Sequence, residues 1–344
     1  CRGGESEMSA MLLPKDKWSE FTGRLSGKNL WAPALQGGMK KFAPVGEGDA
    51  VTLEEGNTTV PPKALLFPQT ETLFRFSEGE EGVELPALDE AAILMGVRPC
   101  DARAMAIVDK LFRWDYEDPY YLKRRELATI IGLACSEPGL NCFCTSVGGG
   151  PASTEGLDIL MVDLGESYLL EGLTDKGQAL LDEFKDLLQE AGADALQRKE
   201  QLAQEAAAKI KRSVDTAGIP EALPGLWEDP LWQRVSAACL GCGICTYLCP
   251  TCHCFDIQDE VEGAAGRRCR MWDSCMYAEY TKHTSGHNPR PTRRERTRNR
   301  INHKYSYYVD KFGVIACVGC GRCSNLCPVN IDLIDILRQV KAAP

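Results

Sequence analysis

Two stretches decide the reading of this chain: Cys239-Leu-Gly-Cys242-Gly-Ile-Cys245-Thr-Tyr-Leu-Cys249-Pro250 and Cys317-Val-Gly-Cys320-Gly-Arg-Cys323-Ser-Asn-Leu-Cys327-Pro328. Both carry the C-x₂-C-x₂-C-x₃-C-P spacing by which bacterial two-cluster ferredoxins bind [4Fe–4S] cubes. Three cysteines spaced this way wrap a tight loop around three irons, and the glycines let backbone approach the inorganic sulfides. The fourth cysteine points away on the following turn and serves the other cube. The pairing expected is therefore Cys239, Cys242, Cys245 and Cys327 on one cluster, with Cys317, Cys320, Cys323 and Cys249 on the second. The alternatives are structural zinc, which favours two separated C-x₂-C pairs, and disulfides, which need an oxidising compartment.

Working outward, residues 250–316 separate the two runs, far more than a hairpin connection requires. This insert holds Cys252, His253, Cys254, Cys269 and Cys275 and ends in a basic run with Arg290, Arg293, Arg294, Arg296, Arg298, Arg300 and Lys304. The four cysteines, with His253 or His283, match no metal template; packing against the clusters or a redox-active thiol is the plainer reading. The basic run reads as a solvated or partner-facing surface, with internal pairing against cluster charge as the alternative.

Upstream, Ala91–Val97 is a continuous apolar run, the pattern of a strand buried on both faces, and a helix is expected from there to about Phe112 with Asp101 as its N-cap. Ala128–Ala134 is a second such strand. They deliver Cys100 and Cys135 just past their carboxyl ends, where open α/β sheets place ligands. Cys142 and Cys144 follow. If the two strands are neighbours, Cys100, Cys135, Cys142 and Cys144 converge as ligands of a third [4Fe–4S] cluster; buried free thiols and a Cys₄ zinc site are the alternatives.

Elsewhere a helix is expected over Pro14–Leu25, mostly loop over 26–62, and strands at Ala64–Phe67, Thr72–Phe76, 157–163 and 166–171. Lys176–Arg212 reads as helical. Pro220, Pro224, Gly225 and Pro230 read as a linker, with the domain boundary inside 216–235. The fold expected is α+β or α/β: an N-terminal α/β domain (1–225) with a helical segment, then a ferredoxin-like two-cluster domain (226–344) carrying the insert.

The 344 residues are 44% hydrophobic and 26% charged, an ordinary globular balance. A net charge of −10 argues against a nucleic-acid binder. The longest uncharged apolar run is too short to span a bilayer, and no secretory h-region is visible. Seventeen cysteines, mostly in metal-ligand spacing, point to a reducing cytoplasm rather than a secreted disulfide protein. Cys1 is compatible with a lipidated first residue or simply with the place where the chain starts, and Met8 and Met11 are both compatible with a start site. No Walker A motif and no G-x-G-x-x-G after a strand is present, so no nucleotide site is expected.

Gly96-Val-Arg-Pro-Cys-Asp-Ala-Arg103, Cys135 with Asn141-Cys-Phe-Cys-Thr-Ser-Val-Gly148, Cys249-Pro-Thr-Cys-His-Cys254, Trp272-Asp-Ser-Cys275, Gly286-His-Asn-Pro-Arg290 and His303-Lys304 together resemble one family. It is the iron–sulfur protein that serves as the beta subunit of cytoplasmic sulfhydrogenases and has its counterpart in anaerobic sulfite reductases. The resemblance runs from about Pro14, more weakly over 26–62 and 145–225, and Cys269 stands outside its pattern. It implies an electron-transfer component of an anaerobic complex, linking an FAD-containing, NAD(P)H-oxidising subunit to a catalytic hydrogenase, sulfite reductase or heterodisulfide-reductase-like subunit. It also strengthens the third cluster, because all four candidate ligands fall in family motifs. The competing expectation is a catalytic iron–sulfur thiol or sulfur reductase.

Overall fold

The computed structural model describes residues 10–49, 51, 53, 55–79 and 81–343, so Cys1 and Met8 lie outside the described residues. The two apolar runs are strands, β5 (Ala92–Val97) and β6 (Ala128–Leu133), paired parallel. They lie inside an eight-stranded mixed sheet completed by β1 (Ala10–Pro14), β2 (Leu30–Gln36), β3 (Met39–Pro44), β7 (Ile159–Asp163), β8 (Ser167–Gly172) and β9 (Gln189–Glu190). The strand order is β3-β2-β5-β6-β7-β8-β1-β9. Strands β2, β5, β6 and β7 form the parallel centre, flanked by antiparallel β3 and β8.

Strand alternation sorts the core into two layers. Ile93, Met95, Ile131, Leu133, Ile159 and Met161 pack on one face with Phe21, Leu25 and Phe184. Leu94, Ile130, Leu160 and Val162 pack on the other with Ala102, Met105, Val108 and Phe112 of the helix Pro99–Phe112. Each fully buried aliphatic side chain contributes about 1.5–3 kcal/mol, which is what makes such runs strands of a covered sheet. Val97 breaks parity and joins the second layer, because β5 shifts register between Met95 and Val97. Gly96 sits at that shift with φ +78°, and a Cβ there would meet Leu53 and Pro33 at 2.9 and 3.2 Å.

A second, three-stranded antiparallel sheet joins distant parts of the chain. The hairpin β10 (Phe255–Glu262) and β11 (Ala265–Trp272), from the insert, pairs through β11 with β4 (Thr70–Ser77). Arg270 fixes this join, its side chain buried between Glu71 and Asp118.

Several expectations need correction. Ala64–Phe67 is helical (Lys63–Leu66), not a strand, and residues 26–62 contain β2 and β3. Asp101 is not an N-cap: the helix starts two residues earlier, at Pro99, which leaves the Asp101 carboxylate free to pair elsewhere. The proline-rich 219–236 segment is not an extended linker but two short helices, Ile219–Gly225 and Leu231–Ser236, with Pro220 and Pro230 at their starts. Their Ile219, Leu223, Leu231 and Trp232 pack on Ile334 and Leu337 of the last helix, Leu333–Ala342. Among the described residues no helix is long and apolar enough to cross a membrane.

Candidate metal centres

Cys239, Cys242, Cys245 and Cys327 line one cavity, and so does Cys323. Gly241, Gly243, Ile244, Met276 and Pro328 close it with Thr297 and Arg300, so the walls are thiol and apolar apart from one hydroxyl and one guanidinium. Gly243 has φ +77°, and a Cβ there would lie 2.7 Å from the Tyr277 hydroxyl, so only glycine lets this turn close. Burial pushes the Cys245 thiol up to about 11, with Arg300 opposing. Arg300 is itself buried and donates to the Cys245 carbonyl at 3.2 Å.

Cys249 lies with the second run rather than its own. Its neighbourhood includes Cys320, and Lys304 Nζ reaches Cys249 Sγ at 3.3 Å, Thr251 Oγ1 at 2.9 Å and the Ala316 carbonyl at 3.0 Å. A hydrogen bond from Cys252, supported by Lys304, holds the Cys249 thiol well below its ordinary value. Burial works against the Lys304 charge, but the Cys249 and Cys252 sulfurs outweigh it and raise its pKa. The buried Tyr305 hydroxyl sits beside Cys317 with no nitrogen or oxygen partner among the described residues.

The four N-terminal cysteines also come together, because β5 and β6 are adjacent. Cys135 has Cys142 and Cys144 as neighbours, and Cys100 has Cys135 and Cys320. Burial pushes Cys135 up to about 12 and Cys144 up to about 11, and raises Cys100 and Cys142 as well. This group abuts the second ferredoxin run directly. Asn57 donates to the Cys320 carbonyl at 3.1 Å, while its Oδ1 lies 3.6 Å from Cys100 Sγ. Phe143 N–H donates to the Gly319 carbonyl at 2.8 Å, and a Cβ at Gly319, where φ is +63°, would stand 2.5 Å from Cys144 N. Asp101, released from capping, pairs with the fully buried Arg322 at 2.6 and 2.8 Å.

The insert's basic run forms the expected exposed surface only in part: Arg293 is exposed and Arg290 and Arg294 are half-buried. Arg296, Arg298, Arg300 and Lys304 are all buried, Arg298 stacking on Trp227 at 3.8 Å. The alternative of internal pairing fits Arg300 and Lys304, which face thiols. Lys63, which sequence reasoning missed, is buried too: it donates to the Cys252 carbonyl at 2.6 Å and lies 4.2 Å over Trp272. Burial lowers its pKa to about 8. Nothing in Pro61-Pro-Lys63-Ala marks a lysine that folds inward. Arg322 and Asn57 were missed for the same reason, since their partners are distant in sequence. Cys269 is fully buried in β11, and His283 packs on His287 rather than on any thiol. His253 is half-buried against His303 and Tyr308, its pKa pushed down to about 3 by desolvation.

Residues 238–331 match the family model of a 4Fe-4S dicluster domain. With the cysteine-lined turns they occupy, this places the chain in a class: iron–sulfur electron-transfer proteins with two [4Fe–4S] clusters in their C-terminal part. Over 336 residues the chain is 31% identical to Sulfhydrogenase 2 subunit beta of Pyrococcus furiosus, covering 97% of this chain and 99% of that relative. The chain belongs to that family of iron–sulfur beta subunits.

Proposed function

We propose that this chain is the electron relay that joins an FAD-containing, NAD(P)H-oxidising subunit to a catalytic subunit of the hydrogenase, sulfite reductase or heterodisulfide-reductase kind. The relative's own name, a sulfhydrogenase beta subunit, supports partners of this sort. The ligands we assign are Cys239, Cys242, Cys245 and Cys327 for one cube, and Cys317, Cys320, Cys323 and Cys249 for the other. Cys100, Cys135, Cys142 and Cys144 are assigned to a third. The domain division at residue 225 belongs to the same reading, with Asp101–Arg322 and the β4–β11 pairing as contacts across it.

The residues fit such groups. All donors are thiols, and among the described residues Lys63, Arg300 and Lys304 are buried cations with no carboxylate partner. A buried cation left unpaired is costly, so its surroundings call for negative charge that thiolate-ligated cubes carry. When bound, the cubes supply one-electron redox chemistry. The chain's part is to fix their spacing, exclude water and set their potentials through burial and hydrogen bonds to sulfur.

The observation that carries the relay is contiguity. Cys323 of the second run lines the first cavity, and Asn57 touches both Cys320 and Cys100, so the three thiol groups form an unbroken series. Iron and acid-labile sulfide on anaerobically purified protein test it: about 12 of each per chain is expected, and about 8 would remove the third cluster from the series. Co-purification from anaerobic cells checks the partners.

Lys304→Met removes both a charge and an N–H···S contact at Cys249. The reduced, more negative form of that cluster loses more than the oxidised form, so its midpoint potential should fall, on the order of 50 mV. An EPR-monitored redox titration reads this shift, and an unchanged midpoint at full iron content would count against the assigned role of Cys249.

A further inference from the structure

Four thiols in the insert, Cys252, Cys254, Cys269 and Cys275, are not used by any of the three groups, and two of them meet. Cys254 immediately precedes β10 and Cys275 follows β11 by three residues, so they meet at the open end of the hairpin whose last pair is Phe255 opposite Trp272. The backbone confirms the closeness: Asp273 N–H donates to the Cys254 carbonyl at 3.0 Å. The two thiols are in direct hydrogen-bonding contact with each other, and the Tyr280 hydroxyl also reaches Cys254. Cys275 is buried and packs with Met276 against Cys239, while Cys245 lies in the same apolar group.

That contact decides what the pair is for. In a cube each cysteine sulfur binds its own iron, so ligand sulfurs are held apart by the metal core. Two touching sulfurs are not arranged to serve two irons. Cys252 is a third thiol in this neighbourhood, but its hydrogen bond is to Cys249 and not to this pair. Two thiols in contact at the base of an antiparallel hairpin suit a different bond, the disulfide.

We propose that Cys254 and Cys275 form a dithiol/disulfide redox couple beside the first thiol-lined cavity, working as a two-electron centre next to a chain of one-electron centres. In the reducing direction the S–S bond breaks, the two sulfurs take two electrons and two protons, and two thiols result. The electrons come singly from one-electron donors of the iron–sulfur class, and oxidation returns them the same way with release of both protons. The couple also staples the hairpin base, so its redox state sets how firmly Met276 is held against the cavity wall.

The electron source rests on the ligand assignment above, but the couple itself does not, and the test keeps the two apart. The full iron-loaded chain is poised anaerobically at a series of potentials, quenched in acid, alkylated and digested, and the cysteine peptides are weighed. Cys254 and Cys275 should pass together from linked to alkylated along a two-electron curve, about 30 mV for each tenfold change in ratio, with iron per chain constant. In Cys254→Ser, Cys275 should be alkylated at every potential with iron unchanged. The proposal is overturned if both wild-type thiols are alkylated at every potential at which the iron is retained. It is equally overturned if Cys254→Ser or Cys275→Ser folds but loses iron, which would make the pair metal ligands. The iron count of the wild type judges the relay separately.

Discussion

Cys320→Ser is expected to lose about four iron atoms per chain, with the matching sulfide, and to bring NAD(P)H-linked turnover of the assembled complex down to background. The thiol is buried, and that burial pushes its pKa well above the ordinary value, so the sulfur becomes a thiolate there only when a metal binds it. The neighbouring Cys320 carbonyl is also the contact through which Asn57 and, at 3.8 Å, Cys142 Sγ meet the second run. The loss should therefore interrupt the series at its middle, not at an end. Iron and sulfide assays with EPR of the reduced protein check the first part, and turnover of the reconstituted complex checks the second. Cys269→Ser is the control: Cys269 lies within β11, so this variant should keep its full iron complement. Full iron and normal turnover in Cys320→Ser would refute the ligand assignment.

Asp101→Ala should be the most damaging change away from the thiols. The Asp101–Arg322 pair has both side chains only 2% exposed, and Arg322 Nε donates to the Thr58 carbonyl at 2.7 Å. Removing the carboxylate leaves a guanidinium buried without its counter-charge, which costs about 3–5 kcal/mol. Anaerobic guanidinium denaturation should show the midpoint falling accordingly. Because a buried pair gains little over well-packed apolar groups of similar size, the double variant Asp101→Ala/Arg322→Met should recover most of the loss. A single variant as stable as the parent would mean that the two charges are not buried together. Arg322 lies between Cys320 and Cys323, so the single variant should also release iron more readily to a chelator.

The ferredoxin cysteines were legible because a cube imposes its own spacing on any chain that wraps it. Strands β5 and β6 were legible because an apolar run covered on both faces has no polar interruptions. Their adjacency was a condition the sequence left open, and the parallel β5–β6 pairing meets it, bringing Cys100 and Cys135 together. Four apolar residues at Ala64–Phe67 carry no period, and packing settled them as a helical turn. Strands β2 and β3 were hidden by Pro33 and by Lys40-Lys41, which sheet margins tolerate and central strands do not. The buried cations were the least legible feature. A lysine or arginine in sequence looks like surface, and only a fold that brings thiols to it from tens or hundreds of residues away makes burial favourable.

The strand pairing of β4 with β11 has a bearing on how the protein is made. Glu71 and Arg270, partners across that join, are 199 residues apart. At about 5–20 residues per second, ribosomes expose β4 for roughly 10–40 s before its partner strand exists. Throughout that interval β4, with Phe74 and Phe76, presents an open hydrogen-bonding edge of the kind that templates aggregation. The thiols assigned to each cube also come from both runs, and the second run is synthesised only after the whole insert. Maturation is thus ordered in time: the nascent chain needs protection first, and loading of either cube waits for the second run.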